Sequence, residues 1–248
     1  MIFMKKGLLG VLLILNIGFV AAENKSRLVV GITVNHFYPE WLMIYRNALT
    51  EGGFNRLLSQ GKKIMADYSY LYSQTGVDQA TIYTGLLPAE HGIIAHQWYD
   101  RLRNKRQDNV LSNESRLLGE EGAGLTPDWL QAMTLGCAMK MNNVFSKVYS
   151  IGVNGEEAVL SGGSCANLAL WLSENTGKWI SSDYYADSLP SWLSVYNTKL
   201  ESDFFIHKGW MSLEDESGNS MALELKSKVG LGNSFYYDLA QAKRKYDT

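Results

Sequence analysis

The chain has 248 residues, of which 46% are hydrophobic and 19% charged, with a formal net charge of −2. That composition excludes an intrinsically disordered chain, because it supplies enough apolar surface to offset the entropy of ordering. A mildly acidic chain is also a poor ligand for nucleic acid, whose phosphates call for a basic face.

The start reads MIFMKKGLLGVLLILNIGFVAAENK. Lys5 and Lys6 precede an apolar run of 14 residues from Gly7 to Val20, and Val20 and Ala22 stand at the −3 and −1 positions of a cleavage site. The pattern predicts a secretory leader over 1–22 and a mature domain over 23–248, exported to the periplasm or the medium. An uncleaved anchor is the alternative, but spanning a bilayer takes about 20 apolar residues and the run stops short. No membrane association is expected after cleavage.

Leu28 to Val34 is a continuous apolar, β-branched run and predicts a buried strand of a parallel sheet. Phe54 to Ser59 reads as a short helix closed by Gly61, and Lys63 to Met65 as the start of another strand. Thr75 to Thr84 looks helical, with Pro88 and Gly92 punctuating the chain after it. The basic run Arg101 to Arg106 reads first as a solvated loop and second as a contact for a phosphate-rich partner. Thr126-Pro127-Asp128 predicts a helix start, with Trp129, Leu130, Met133 and Cys137 along it as far as Asn142. Lys147 to Val153 predicts a second buried strand. Leu168–Leu172 and Lys178–Ser181 flank Glu174-Asn175-Thr176-Gly177 as a hairpin, and Leu189-Pro190-Ser191-Trp192 opens a further helix. Strands alternating with helices predict an α/β fold. An exported chain can oxidise Cys137 and Cys165, but spacing does not show that they meet, and Cys137 reads as a small core residue.

In open α/β sheets, sites form beyond the carboxyl ends of strands. Asn35-His36 and Asn154-Gly155-Glu156-Glu157 follow the two predicted strands. Thr75 opens a predicted helix, where free N–H groups favour an anion. On these grounds alone the ordinary cap is the stronger reading.

The segment from Tyr72 to Arg101, YSQTGVDQATIYTGLLPAEHGIIAHQWYDR, resembles the nucleophile segment of secreted bacterial alkaline phosphatases that use a threonine. These belong to a superfamily shared with nucleotide pyrophosphatases and phosphodiesterases. The resemblance continues in order through LVVGITVNHF, EGGFNRLLSQG, SKVYSIGV and TGKWISSDYYADSLPSWLSVYN. It implies an alkaline-phosphatase-like sandwich with a mostly parallel sheet, helices on both faces and a small hairpin-containing insertion. It also implies two zinc ions and a phosphate-ester substrate. Thr75 falls on the nucleophile, which is also a zinc ligand.

Other positions depart from the family pattern. The aspartate that binds zinc is matched by Asn35, and an amide is a poorer zinc ligand than a carboxylate. The phosphate-contacting asparagine is matched by His96, and the lysine and arginine of the phosphate clamp by Asn154 and Glu156. Two like charges about 4 Å apart cost roughly 4 kcal/mol at an effective dielectric near 20, so Glu156 opposes a phosphate dianion. Gln79 stands where the family has a histidine. His91, in the P-x-x-H-G turn, reads as a loop-holding residue, and His36 as a loop histidine beside Asn35.

SFYYDLAQAKRKYDT resembles the segment before the family's second half, which supplies the remaining zinc ligands. The expectation is therefore an incomplete sandwich that binds zinc weakly or not at all. Exposed apolar surface near the C-terminus should favour self-association, or capture of a separate C-terminal half. Three functions follow from the sequence: a catalytically impaired phosphatase-like protein, an active phosphomonoesterase or phosphodiesterase acting through Thr75, or an exported interaction module.

Overall fold

The computed structural model describes residues 27–199, together with the strand backbone at 210–211 and 236–237. The expected leader, His207 and most of the C-terminal segment lie outside the described residues. The chain divides into an N-terminal unit ending at Ile64 and a larger unit beginning at Met65.

In the N-terminal unit, α1 (Trp41–Ile44) runs through a single 3₁₀ turn (Arg46–Ala48) toward α2 (Phe54–Gln60). Phe37 stacks on Phe54 at 5.4 Å and meets Trp41 edge-on at 6.0 Å. The predicted helix at 54 is present, although Gly61 closes it with extended backbone rather than a left-handed turn. The predicted strand at 28–34 is not: the segment joins no ladder, and Leu28, Val30 and Ile32 are 68–80% exposed. A continuous apolar run specifies that a segment should be covered, and this unit holds no described strand to pair with it. Lys63 to Met65 likewise forms no strand.

The larger unit begins with α3 (Thr75–Thr84) and α4 (Pro88–His91). A two-stranded ribbon follows, β1 (Gln97–Asp100) antiparallel to β2 (Lys105–Asp108). Then come β3 (Leu111–Leu118), β4 (Ala123–Leu125), α5 (Leu135–Asn142), β5 (Tyr149–Gly152), α6 (Gly155–Gly162), β6 (Leu168–Leu172), β7 (Trp179–Ser182) and α7 (Ser191–Asn197). A last ribbon pairs β8 (Trp210–Met211) with β9 (Tyr236–Tyr237).

The five-stranded sheet has the order β4-β3-β7-β6-β5. The α/β class is as expected, but the sheet is mixed. Only β5 and β6 are parallel, joined through α6, and the other three pairings are antiparallel. The predicted hairpin supplies β6 and β7, with Trp171 opposite Ile180. An antiparallel partner needs only a short turn, whereas a parallel one needs a crossover.

Alternate side chains of β6 point into two cores. Ala169 and Trp171 pack with Val77 and Ala80 of α3 and Ala158 to Leu160 of α6. Leu168 and Leu170 pack with Leu193 of α7. Helices therefore cover both faces of this strand.

β5 departs from its reading as a buried strand. It is the sheet edge, only Ser150 is buried within it, and Tyr149, Ile151 and Val153 are about two-thirds exposed or more. By strand alternation Tyr149, Ile151 and Val153 share one face as an apolar strip, and Val144 and Phe145 before the strand are exposed as well.

The helix expected from Thr126 begins later. The Thr126 N–H donates to the Val110 carbonyl at 2.8 Å, and its hydroxyl donates to Asp128 at 2.6 Å. The Gln131 N–H donates to the His91 carbonyl. A helix starting after Thr126 would need the Gln131 N–H, which is committed to His91, so helical bonding waits for Thr134, whose side chain accepts from the Cys137 N–H. Cys137 is buried, as expected of a core residue, but it is also half of a disulfide to Cys165, with the Cα atoms 5.1 Å apart.

Candidate functional site

The site forms where the N-termini of α3 and α6 meet. Gln74, in extended conformation, precedes α3 and makes no side-chain cap. Helical bonding begins with the Asp78 N–H donating to the Gln74 carbonyl at 2.8 Å. The N–H groups of Thr75, Gly76 and Val77 thus have no intrahelical acceptor. Asp78 complements the helix dipole from the first turn. It also accepts hydrogen bonds from the Tyr70 and Ser73 hydroxyls. Burial, and then the bond to Asp78, push the Tyr70 phenol up to about 12.

α6 starts at a glycine after Asn154, whose side-chain oxygen accepts from the Glu157 N–H at 2.9 Å. Asn154 is thus turned onto its own helix as a cap. Glu156, in the first turn, reaches across to α3. A β-carbon on Gly76 would fall 2.0 Å from Glu156 Oε1, so only glycine leaves room for the carboxylate.

Two side chains hold that carboxylate. The Asn109 amide donates to Oε1, and His96 Nδ1 lies 3.4 Å from Oε2. His96 is tied to the start of α3, its N–H donating to Gln74 Oε1 at 2.6 Å. Its other ring nitrogen faces Asp108 Oδ2 at 3.8 Å. Asp108 Oδ1 accepts the N–H groups of Val110 and Leu111, each at 3.0 Å. Asn109 is fully buried, and its Oδ1 has no hydrogen-bond partner among the described residues.

Thr75, His96 and Glu156 are therefore gathered around residues 74–76. Asn35 lies in the N-terminal unit, exposed like its neighbour His36, which has left-handed backbone with φ 55°. Gln79 is buried in α3 and accepts the Ser161 hydroxyl at 3.1 Å, tying α3 to α6. His91 is structural. Its Nδ1 accepts the Ile93 N–H at 3.1 Å and its Nε2 lies 3.0 Å from the Thr81 hydroxyl, which sets the tautomer. Burial holds its pKa below the ordinary value.

Sequence reasoning passed over Asp108 and Asn109. The signal was present: an Asp-Asn pair between two strands is a turn in which short polar side chains bond nearby backbone.

Among the described residues, the acid and imidazole groups gathered around residues 74–76 are Glu156 and His96, which face each other at 3.4 Å. Among the described residues no three His, Cys, Asp or Glu side chains are grouped as metal ligands. This donor set does not fit a two-zinc centre, which needs several carboxylates and imidazoles free to ligate.

Residues 29–234 match the family described as type I phosphodiesterase / nucleotide pyrophosphatase. Alkaline phosphatase PafA of Elizabethkingia meningoseptica is 30% identical over 222 residues, covering 84% of this chain and 40% of the relative. Alkaline phosphatase PhoV of Synechococcus elongatus is 30% identical over 196 residues, covering 76% and 35%. A Myroides odoratus protein named calcium-transporting ATPase is 32% identical over 195 residues, again covering 76% and 35%. The crystal structure of PafA superposes with a TM-score of 0.67 at 28% identity, over 71% of this chain and 35% of that one. The chain thus spans 35–40% of the length of these curated relatives. With the family match, the relatives and the superposition in agreement, the chain belongs to the type I phosphodiesterase / nucleotide pyrophosphatase family, in its alkaline-phosphatase-like form.

Proposed function

We propose that this is an exported phosphatase-like protein that keeps the family's nucleophile helix but does not hydrolyse phosphate esters. The carrying observation is Glu156. Its carboxylate, fixed by Asn109 and His96, lies against Gly76 at the helix end where a substrate phosphate would need donors and positive charge. The chain supplies its own anion there. Asn154, at the position of the clamp lysine, is spent capping α6. Export rests on the residues 1–22 leader, and the loss of zinc on Asn35 and on the donor set around Thr75.

The second reading, hydrolysis through Thr75, is favoured by one feature: Thr75 is the first residue of α3, beside unbonded N–H groups. Under that reading the metal ligands come from elsewhere.

One experiment separates the two. The mature chain is assayed against an aryl phosphate with added zinc, beside Thr75→Ala, and its metal content is measured by mass spectrometry. The expected result is no hydrolysis sensitive to Thr75→Ala and less than one equivalent of zinc. Two equivalents of zinc with hydrolysis abolished by Thr75→Ala would overturn the proposal.

A further inference from the structure

A second concavity lies on the outer side of the β1–β2 ribbon, with a volume of about 670 Å³. Of the residues described around Thr75, only Asp108 lines it. Its one wall is the ribbon, with Arg103, Lys105 and Arg106; the facing wall comes from the start of β3 and the turn after β4, with Ser112, Asn113 and Glu114. The volume lies within the few hundred to about a thousand Å³ usual for small-molecule sites, and is far larger than a bare phosphate needs.

Its charges are not alike. Arg103 is committed, with Nη1 2.7 Å from Asp100 and its guanidinium 5.2 Å from the Trp129 ring centre. Trp129 is in turn steadied by Trp98, edge-on at 5.5 Å. Asp108 is satisfied by two backbone N–H groups and the Gln97 amide. Asp128 accepts the Thr126 hydroxyl. Lys105 and Arg106 are exposed and have no ion-pair partner among the described residues. The residues lining the cleft therefore include two uncommitted cations along β2, Lys105 and Arg106, and along the start of β3 an uncommitted carboxylate, an amide and a hydroxyl.

Leu111 and Trp129 are the large apolar residues of the lining, so an apolar ligand gains little there. An extended polyanion would meet Glu114 and Asp128 on the facing wall. What matches both walls is a small molecule with an oxyanion at one end, for Lys105 and Arg106, and several hydroxyls elsewhere. Hydroxyls donate to carboxylates and accept from amides. We propose that the cleft is a binding site for a hydroxyl-rich oxyanion, with the chemistry of a sugar phosphate or an acidic saccharide. The proposal does not depend on whether Thr75 is catalytic, and it gives a function to the basic run beginning at Arg101.

Calorimetric titration of the mature chain with glucose 6-phosphate, a galacturonic acid oligomer, glucose and inorganic phosphate tests it. Saturable binding of an anionic sugar is expected, and which of the two binds identifies the anion's source. Reversing the wall charges with Lys105→Glu and Arg106→Glu should weaken binding roughly tenfold or more, the scale of a lost charge-assisted hydrogen bond. The neutral pair Lys105→Gln and Arg106→Gln should weaken it less, and it replaces the reversal should that variant fail to fold. Glucose and inorganic phosphate should bind at least about tenfold more weakly than the anionic sugar, each lacking one half of the match. Thr75→Ala should leave binding unchanged. No saturation with either anionic sugar would overturn the proposal, as would indifference to both wall variants. Binding of inorganic phosphate or glucose as tight as that of the anionic sugar would do the same. Binding lost with Thr75→Ala would move the anion to the α3 terminus, ending the cleft assignment and reopening the second reading of Thr75.

Discussion

Glu156 and Gly76 meet across the ends of two helices, with no space between them for a methyl group: a β-carbon on Gly76 would lie 2.0 Å from Glu156 Oε1 and 2.6 Å from Asn109 Nδ2. Gly76→Ala should therefore destabilise the fold by about 1–3 kcal/mol, the usual cost of overpacking. Glu156→Ala removes the obstacle, so the double variant should lose less than the sum of the single losses. Urea melts of the four proteins give the coupling. Additive losses would show that the two residues are not in contact.

The buried His91 makes stability depend on pH. Burial lowers its pKa below the ordinary 6.5, so the folded state binds fewer protons than the unfolded state in the interval between the two values. Its contribution is complete above 6.5 and is lost as pH falls through the folded pKa. His91→Gln should flatten that part of the stability curve, as read by thermal melts at stepped pH.

The Cys137–Cys165 bridge closes a loop with a sequence separation of 28. Replacing both with serine should cost about 3–4 kcal/mol on the chain-entropy relation for a loop of that length. Chemical denaturation with and without reductant measures it, and the serine variant should show no response to the reductant.

The apolar strip of β5 should make the protein associate as its concentration rises, because a strand with no outer partner among the described residues offers both backbone and hydrophobic area. Ile151→Lys places a charge at the centre of the strip. Sedimentation velocity should show a shift toward monomer relative to the parent chain. Identical profiles would place the association elsewhere.

Elements marked by local chemistry were legible in the sequence. α3, the β6–β7 hairpin and α7 each carry their own punctuation, in Gly85, in the Glu174–Gly177 turn and in Pro190. What failed depended on partners distant in the chain. Nothing in residues 28–34 says whether a neighbouring strand exists, and nothing in 147–153 marks an edge. Thr126 and Thr134 look alike as helix starts until His91 takes the Gln131 N–H, which a helix from Thr126 would need. At the site, Thr75 and Glu156 stood out by position, at a predicted helix start and after a predicted strand, while His96 was singled out through family resemblance alone. Their convergence depends on Asn109, a buried amide 47 residues from Glu156 in sequence. No spacing rule links such a pair.

The run from β5 through α6 and β6 to β7 is continuous in sequence, from Tyr149 to Ser182, and holds the only parallel pairing of the described sheet. Such an assembly closes its own loops at low entropic cost, so it can form before the chain's more distant contacts. Mutations in its core should slow folding, while mutations at Gly76 and Asn109, which pack against it from outside, should mainly hasten unfolding. The order of assembly then runs opposite to the chain's direction of synthesis: α3 emerges first, but has to wait for the later α6 before Glu156 can be seated against it.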